Sequence, residues 1–174
     1  SVEDKRFYKH KGIDVRRIVG AIINNARAGT LKEGASTITQ QLIKNTHLDN
    51  KKTARRKLNE IVLAKQLEQQ FSKDEILQTY LNTVYFGKNA YGIESASNVY
   101  FDKSATELTL SESAILAGML KAPNSYNPTC DLKKCIARRY VVLKTMLDNG
   151  YIDKNLYENA KNEQIVLADN KNFG

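Results

Sequence analysis

The chain has 174 residues, of which 41% are hydrophobic and 26% are charged, proportions typical of a globular protein with one domain and a real core. It contains no apolar run of about 18 residues, so the sequence predicts no membrane-spanning helix. The net charge of +8 favours an anionic partner, and composition leaves open whether that is nucleic acid, an anionic membrane surface or a phosphorylated substrate.

Helix signals follow one another along the chain, and no segment alternates as a strand would. Asp14 is predicted to cap a helix with a 3/4-spaced apolar face that ends at Gly29. Thr37 with Gln40 resembles a capping box, and a long helix is expected over about 53–71. Four further helices are predicted downstream: one opened by a capping box at Ser72–Glu75 and ending near Gly87, one from Thr109 to Leu120, a basic one from Arg138 to Leu147 and a weaker one from Asp153.

The fold class predicted from these signals is mainly α. Cys130 and Cys135, the only cysteines, are placed in a loop before the basic helix. A disulfide in an oxidising compartment and two free thiols both remain open. Zinc is disfavoured, because neither His10 nor His47 shows ligand spacing.

Three segments carry the residue types of a catalytic site. Glu3 is a candidate general base, with Phe7 placed four residues on to shield it on a shared helical face. The tract 34–45 has small and hydroxylated residues at a helix start, where free backbone N–H groups would suit an anion. The basic segment 55–68 carries a second acid, Glu60. Taken singly, each segment has an ordinary explanation: an exposed carboxylate, a capped helix, and a solvated basic face with an Arg56–Glu60 ion pair.

Taken together, the segments closely resemble the family 51 peptidoglycan glycosyltransferases, the domain of class A penicillin-binding proteins and of monofunctional cell-wall transglycosylases. Five motifs occur in order and cover nearly the whole chain: Glu3-Asp4 with Phe7, His10 and Gly12; Gly34 with Ser36–Gln41 and Lys44-Asn45; Arg56-Lys57 with Glu60, Ala64 and Leu67-Glu68; Lys73 with Glu75–Leu77, Tyr80–Asn82 and Tyr85–Gly87; and Arg138-Arg139 with Val142-Leu143 and Met146.

The resemblance implies a lysozyme-like, two-lobed helical fold with a substrate cleft between the lobes. The glycosyltransferase domain is expected over 1–165, truncated at its N-terminus, and 166–174 is expected to be a linker toward a transpeptidase domain missing from this chain. No Ser-x-x-Lys or Lys-Thr-Gly occurs, so no penicillin-reactive site is expected within the chain itself. The segment 29–34, with glycines at both ends, is expected to form a mobile flap.

The activity implied is polymerisation of lipid II into β-1,4 glycan, with inversion and release of undecaprenyl diphosphate. By the motif match, Glu3 is the general base on the acceptor 4-hydroxyl. Glu60 is the second essential acid, whose direct or metal-bridged role stays open, with Mg²⁺ or Mn²⁺ as the only candidate cofactor. His10 is expected to be a buried hydrogen-bonding residue. The diphosphate-binding residues implied are Ser36, Gln40, Gln41, Lys44, Lys52 and Arg56.

The partners implied are lipid II, the lipid-linked growing glycan, the membrane surface and cell-wall synthesis proteins, without nucleic acid. The expected location is the extracytoplasmic or periplasmic face of the inner membrane, with an anchor upstream of this chain. Two alternatives stay open: a lysozyme-like lytic enzyme acting on peptidoglycan, and a non-catalytic basic binding module. The lytic enzyme needs no cationic diphosphate site, so the basic residues after Gly34 count against it.

Overall fold

The computed structural model describes residues 2–28, 35–47 and 53–168. Within these ranges the chain forms α-helices, two 3₁₀ turns and no β-strand, so the mainly α prediction is confirmed. None of the described helices is long and apolar enough to cross a bilayer. The α-helices are α1 Val15–Ala28, α2 Ile38–His47, α3 Ala54–Gln70, α4 Lys73–Thr83, α5 Ile93–Phe101, α6 Leu110–Met119, α7 Leu132–Asp148 and α8 Lys154–Asn162.

Most of the predicted helix starts are confirmed by side-chain caps. At α1, Asp14 Oδ1 accepts a hydrogen bond from the Arg17 amide at 3.2 Å. At α6, Thr109 and Glu112 form a reciprocal capping box, in which each side chain accepts from the backbone of the other. Side-chain oxygens of Thr53, Ser72 and Asp153 cap α3, α4 and α8, each by accepting a hydrogen bond from a backbone amide three residues on.

One helix was not predicted, and the start of another was misplaced. The missed helix is α5, which starts at Gly92 without a side-chain cap, the signal that marked most of the predicted helix starts. Helix α7 begins six residues before Arg138, since the Asp131 carboxylate accepts from the Lys134 amide at 3.0 Å and caps it there. Cys135 therefore lies in a helix and is buried, whereas Cys130 is exposed, and both are free thiols.

The chain divides into two compact units, one formed by Ser1–Glu3 with Leu81–Gly174 and the other by Asp4–Tyr80. In the first unit α6 packs on α7 and α7 on α8. Its core is an apolar cluster of Ala114, Val142, Leu143, Ile152 and Ala160. In the second unit α2 packs on α3, and the buried apolar residues include Phe7, Leu42, Ile43, Ala64 and Ile76. The predicted cleft and the domain limit at 165 stay predictions.

A close backbone approach holds the start of the second unit against α3. Gly12 has φ +80°, and a Cβ at this position would lie 2.9 Å from the backbone C and O of Ala64. Only glycine satisfies both the left-handed conformation and this approach. The glycine of the first motif therefore has a structural explanation.

Helix α1 leaves much of its apolar stripe outside the core. Ala21 is buried, but Val15, Val19 and Ile22 are 59%, 50% and 63% exposed. The spacing of these three residues, at i, i+4 and i+7, puts them on one face of the helix. The apolar periodicity thus predicted the helix correctly, although among the described residues this face stays largely exposed.

Candidate active site

Glu3 is held in the first unit by an ion pair. Its Oε1 lies 3.3 Å from an Arg138 guanidinium nitrogen, and the two side chains are only 17% and 12% exposed. The expectation that Glu3 shares a helical face with Phe7 was wrong, because residues 2–6 are not helical and a 3₁₀ turn starts only at Phe7. Glu3 is thus a largely buried carboxylate held by an arginine.

Asp4, the next residue, is buried at the start of the second unit. Its Oδ2 lies 2.9 Å from His10 Nε2 and accepts from the Ile38 amide at 3.1 Å. Burial by itself raises the pKa of this carboxyl, but the hydrogen bonds from His10 and the Ile38 amide and the positive charge of Arg17 outweigh it, so the pKa of Asp4 lies below its ordinary value. Asp4 is therefore a fixed anion at the start of α2, where the helix dipole favours negative charge.

His10 connects Asp4 to a second polar cluster. Because Nε2 faces a carboxylate, it is the protonated nitrogen, and Nδ1 accepts from Lys73 Nζ at 3.4 Å. Lys73 also donates to Glu68 Oε1 at 2.7 Å, and Thr39 Oγ1 donates to the same oxygen at 2.5 Å. His10 is thus buried and hydrogen-bonded, as predicted, in a network of residues from four of the five motif regions.

The start of α2 differs from its prediction as an anion site of free amides. The Thr37 amide donates to Gln40 Oε1 at 3.0 Å, and the Gln40 amide donates to Thr37 Oγ1 at 3.2 Å, which confirms the capping box. The Ile38 amide is bound by Asp4. The chain's own side chains thus satisfy these three N–H groups, which are therefore not available to an anion.

A lysine joins the start of α2 to Glu60. Lys57 Nζ contacts Glu60 Oε1 and donates to Ser36 Oγ at 2.9 Å. Glu60 is 2% exposed, whereas the Lys57 side chain is 46% exposed. A buried carboxylate therefore holds a solvent-accessible ammonium beside a hydroxyl, an arrangement suited to a phosphate oxygen. The ion pair on this helix comes from Lys57, three residues before Glu60.

The other predicted diphosphate-binding residues have different environments. Gln41 is half-buried, and its Oε1 accepts from the Tyr80 hydroxyl at 3.0 Å. Gln40 is 1% exposed, with its amide oxygen used in the capping box. Lys44 is exposed on α2, and Arg56 is half-buried in the first turn of α3. Lys52 and the predicted flap 29–34 lie outside the described residues.

The surroundings of Glu60 are not those of a preformed metal site. Across the described ranges, no group of three or more His, Cys, Asp or Glu side chains could hold a metal ion. Mg²⁺ in phosphate-transfer sites is commonly bound by one or two carboxylates together with substrate phosphates. Glu60 fits that pattern as a single protein ligand, with Lys57 as its present cationic neighbour.

Sequence reasoning missed two site residues, Lys57 and Arg138. Lys57 had a signal, because a lysine three residues before a glutamate on a helix is a neighbour of that glutamate. Arg138 had none, since 135 positions separate it from Glu3. Its motif could be recognised, but the residue that it contacts could not.

Comparisons with known proteins agree with these motifs. A sequence model described as Transglycosylase matches residues 1–147. Penicillin-binding protein 1A of Neisseria gonorrhoeae is 44% identical over 165 residues, which cover 95% of this chain and 21% of that protein. Penicillin-binding protein 1A of Aquifex aeolicus is 46% identical over 167 residues, covering 96% of this chain and 23% of that protein.

Among solved structures, the chain is similar to a 2.6 Å crystal structure of penicillin-binding protein 1A from Haemophilus influenzae. The sequence identity is 37% and the TM-score is 0.54, and the match covers 75% of this chain and 16% of that one. The chain spans about a fifth of the length of the curated relatives that it matches.

Proposed function

The chain belongs to the transglycosylase family of peptidoglycan glycosyltransferases, and on that premise we propose that it polymerises lipid II into β-1,4 glycan. The acceptor 4-hydroxyl attacks the anomeric carbon of the lipid-linked donor and displaces undecaprenyl diphosphate. An α-linked donor then gives a β-linked product, so the configuration is inverted in one displacement. The observation that carries the proposal is the Lys57 ammonium held between Glu60 and Ser36, which suits a diphosphate leaving group.

Glu3 acts in this proposal as the general base. The C–O bond forms as the acceptor hydroxyl transfers its proton to the Glu3 carboxylate, which has to be ionised to accept it. Arg138 lies 3.3 Å from this carboxylate and restrains it. A base of this kind contributes typically about 10²–10⁴-fold to a rate.

The leaving diphosphate is stabilised by cationic side chains. Because three amides at the start of α2 are already bound, the proposed donors are side chains: Lys57 with the Ser36 hydroxyl, the exposed Lys44 and Arg56. Diphosphate departs readily once its charge is compensated, so this site needs cations rather than an acid of the glycosidase type. Gln40 and Gln41 contribute by holding the start of α2 and its contact with Tyr80.

Glu60 orients Lys57 toward the leaving group and can share a divalent cation with the diphosphate. Dependence of turnover on Mg²⁺ or Mn²⁺, measured with and without a chelator, tests the cation. A requirement for either metal that disappears in Glu60→Gln places the metal on this carboxylate. If the chelator leaves turnover unchanged, the role of Glu60 is limited to orienting Lys57.

The site of action proposed is the extracytoplasmic face of the inner membrane, where a lipid-linked substrate is anchored. The net charge of +8 suits an anionic surface, and the exposed apolar stripe of α1 lies beside Arg16 and Arg17. The growing glycan and other cell-wall synthesis proteins are the further partners proposed, and nucleic acid is not.

The deciding experiment compares the wild type, Glu3→Gln and Glu60→Gln with lipid II as substrate. Glycan formed and undecaprenyl diphosphate released are measured together, and thermal unfolding establishes that each variant is folded. We expect both variants to lose about 10²-fold or more of the rate. Glu158→Gln, which removes a half-buried acid from α8, is the matched control and should retain the wild-type rate.

Each competing function predicts a different result. A lytic enzyme would clear preformed peptidoglycan and release no lipid diphosphate. A non-catalytic basic module would bind any polyanion with a steep salt dependence, and Glu3→Gln would not change that binding. Full activity of either folded variant would remove the role proposed for that residue.

A further inference from the structure

Arg138 is fixed by three contacts, of which only one is with Glu3. Its Nε donates to the carbonyl oxygen of Gly118 at 3.3 Å, and its guanidinium carbon lies 5.7 Å from the centroid of the Tyr126 ring. A second guanidinium nitrogen donates to Glu3 Oε1 at 3.3 Å. Because the guanidinium is planar and rigid, fixing one edge on α6 fixes the direction of the other.

Helix α6 is shaped to admit this side chain. A Cβ on Gly118 would lie 2.9 Å from Arg138 Cγ and 3.5 Å from Val142 Cγ2. Gly118 has no left-handed φ, so the space for Arg138 is the reason for a glycine in this helix. The α6–α7 contact is thus built around the arginine that reaches Glu3.

The residue before Glu3 is held by the same unit. Val2 packs against the apolar cluster of α6, α7 and α8 that includes Ala114 and Val142. The backbone is therefore anchored on one side of Glu3, while Arg138 restrains the carboxylate. Ordering a long, flexible acidic side chain costs conformational entropy, and these contacts offset that cost before substrate binds.

We propose that Arg138 is the positioning residue for Glu3, setting the direction in which this carboxylate accepts the proton of the acceptor hydroxyl. The inference rests on the proposed function, in which Glu3 is the base. Arg138 acts through Glu3 and does not itself react. Reactions of this kind depend on near-attack geometry, so displacement of the base by about 1 Å can cost on the order of 10²-fold in rate.

The test measures kcat and KM for lipid II polymerisation in Arg138→Met and Arg138→Lys, each with and without Glu3→Gln. We expect Arg138→Met to lower kcat by about 10²-fold while KM changes less than about threefold. Arg138→Lys keeps the charge but cannot hold Gly118 and Glu3 with one rigid fork, so its kcat should fall by about tenfold. In the Glu3→Gln background, Arg138→Met should cause almost no further loss.

Two more variants separate positioning from stability. Lys144→Met removes one positive charge from the exposed face of the same helix and should retain wild-type kcat. Gly118→Ala keeps Arg138 but pushes on its Cγ, and should lower kcat in the same direction. Gly118→Ala therefore keeps the inference testable if Arg138→Met does not fold.

The outcomes distinguish this inference from the function on which it depends. If the wild type releases undecaprenyl diphosphate and Glu3→Gln does not, the proposed function stands. A folded Arg138→Met with wild-type kcat, or with the same loss in both Glu3 backgrounds, then overturns the positioning role alone. Failure of the wild type to release the diphosphate would instead refute the proposed function.

Discussion

The Lys57 ammonium donates to Ser36 Oγ at 2.9 Å and so joins the residue before the α2 capping box to the first turn of α3. The same nitrogen contacts Glu60, which is buried, while Lys57 remains 46% exposed. The buried acid thus restrains the ammonium at the tip of an otherwise flexible side chain, which remains partly exposed to solvent. This arrangement supports the proposal that Lys57 binds the leaving group, a role that the α3 motif alone did not single out.

Lys57→Met should lower kcat/KM for lipid II by about 10- to 100-fold, since a charge-assisted hydrogen bond is worth roughly 1.5–3 kcal/mol. Lys57→Arg should recover part of this loss, because the charge is retained. The measurement is the initial rate of undecaprenyl diphosphate release. Lys65→Met, an exposed lysine on the same helix, is the matched control. An equal effect of both Met variants would mean that only net charge matters.

Gly12→Ala should destabilise the protein, whereas Gly20→Ala should stabilise it. At Gly12 an added Cβ meets the Ala64 backbone at 2.9 Å, and the alanine has to adopt a φ of +80°, which costs at least about 1–2 kcal/mol. At Gly20, inside α1, a Cβ meets nothing within 4 Å, and alanine gains about 0.5–1 kcal/mol of helix propensity. Denaturant unfolding of both variants tests this pair, and a neutral Gly12→Ala would contradict the close approach.

Asp4→Asn should destabilise the protein near pH 5 but have little effect on its stability in acid. The pKa of Asp4 in the folded protein lies below its ordinary value of 3.8, so its carboxylate contributes stability that is fully present above that value. This contribution falls as the pH drops through the lower, folded-state pKa. Unfolding free energies of the wild type and Asp4→Asn should differ by about 1–3 kcal/mol near pH 5 and converge at lower pH. A difference that widens in acid would refute the charged, hydrogen-bonded state of Asp4.

The two cysteines should react at very different rates with a thiol reagent. Burial raises the pKa of the Cys135 thiol to about 11, whereas Cys130 is exposed. Because the thiolate is the nucleophile, one fast equivalent per chain is expected near neutral pH. Cys130→Ser should abolish the fast phase, and Cys135→Ser should retain it. A chain that reacts only after reduction would instead contain the disulfide.

Most helix starts were predictable because a cap is a local event. Asp14 caps its helix at a residue three positions on, as do the pairs Thr37 with Gln40 and Thr109 with Glu112, and the sequence shows that spacing directly. Helix α5 has no such signal at Gly92 and was missed. Capping also explains the wrong start of α7, where Asp131 was a cap that the prediction did not use.

The sequence indicated candidate site residues but not the contacts that these residues make. Motif order indicated Glu3 and Glu60, yet the start of α2 was expected to offer free amides, and side chains of Asp4, Thr37 and Gln40 already bind three of them. Which acceptor binds a buried N–H group is decided by packing. A carboxylate far away in sequence, such as Asp4, can therefore accept from an amide that has no acceptor nearby in the sequence.

From its residues alone the chain specifies a helical class, the caps that start its helices and five ordered motifs, because these depend on neighbours a few positions apart. Tertiary structure alone decides that Arg138 holds Glu3, that Asp4 binds the Ile38 amide and that Lys57 reaches Ser36. These pairs are 135, 34 and 21 positions apart, respectively. Contacts at such separations form only when helices pack, and packing depends on the shape and burial of the whole unit.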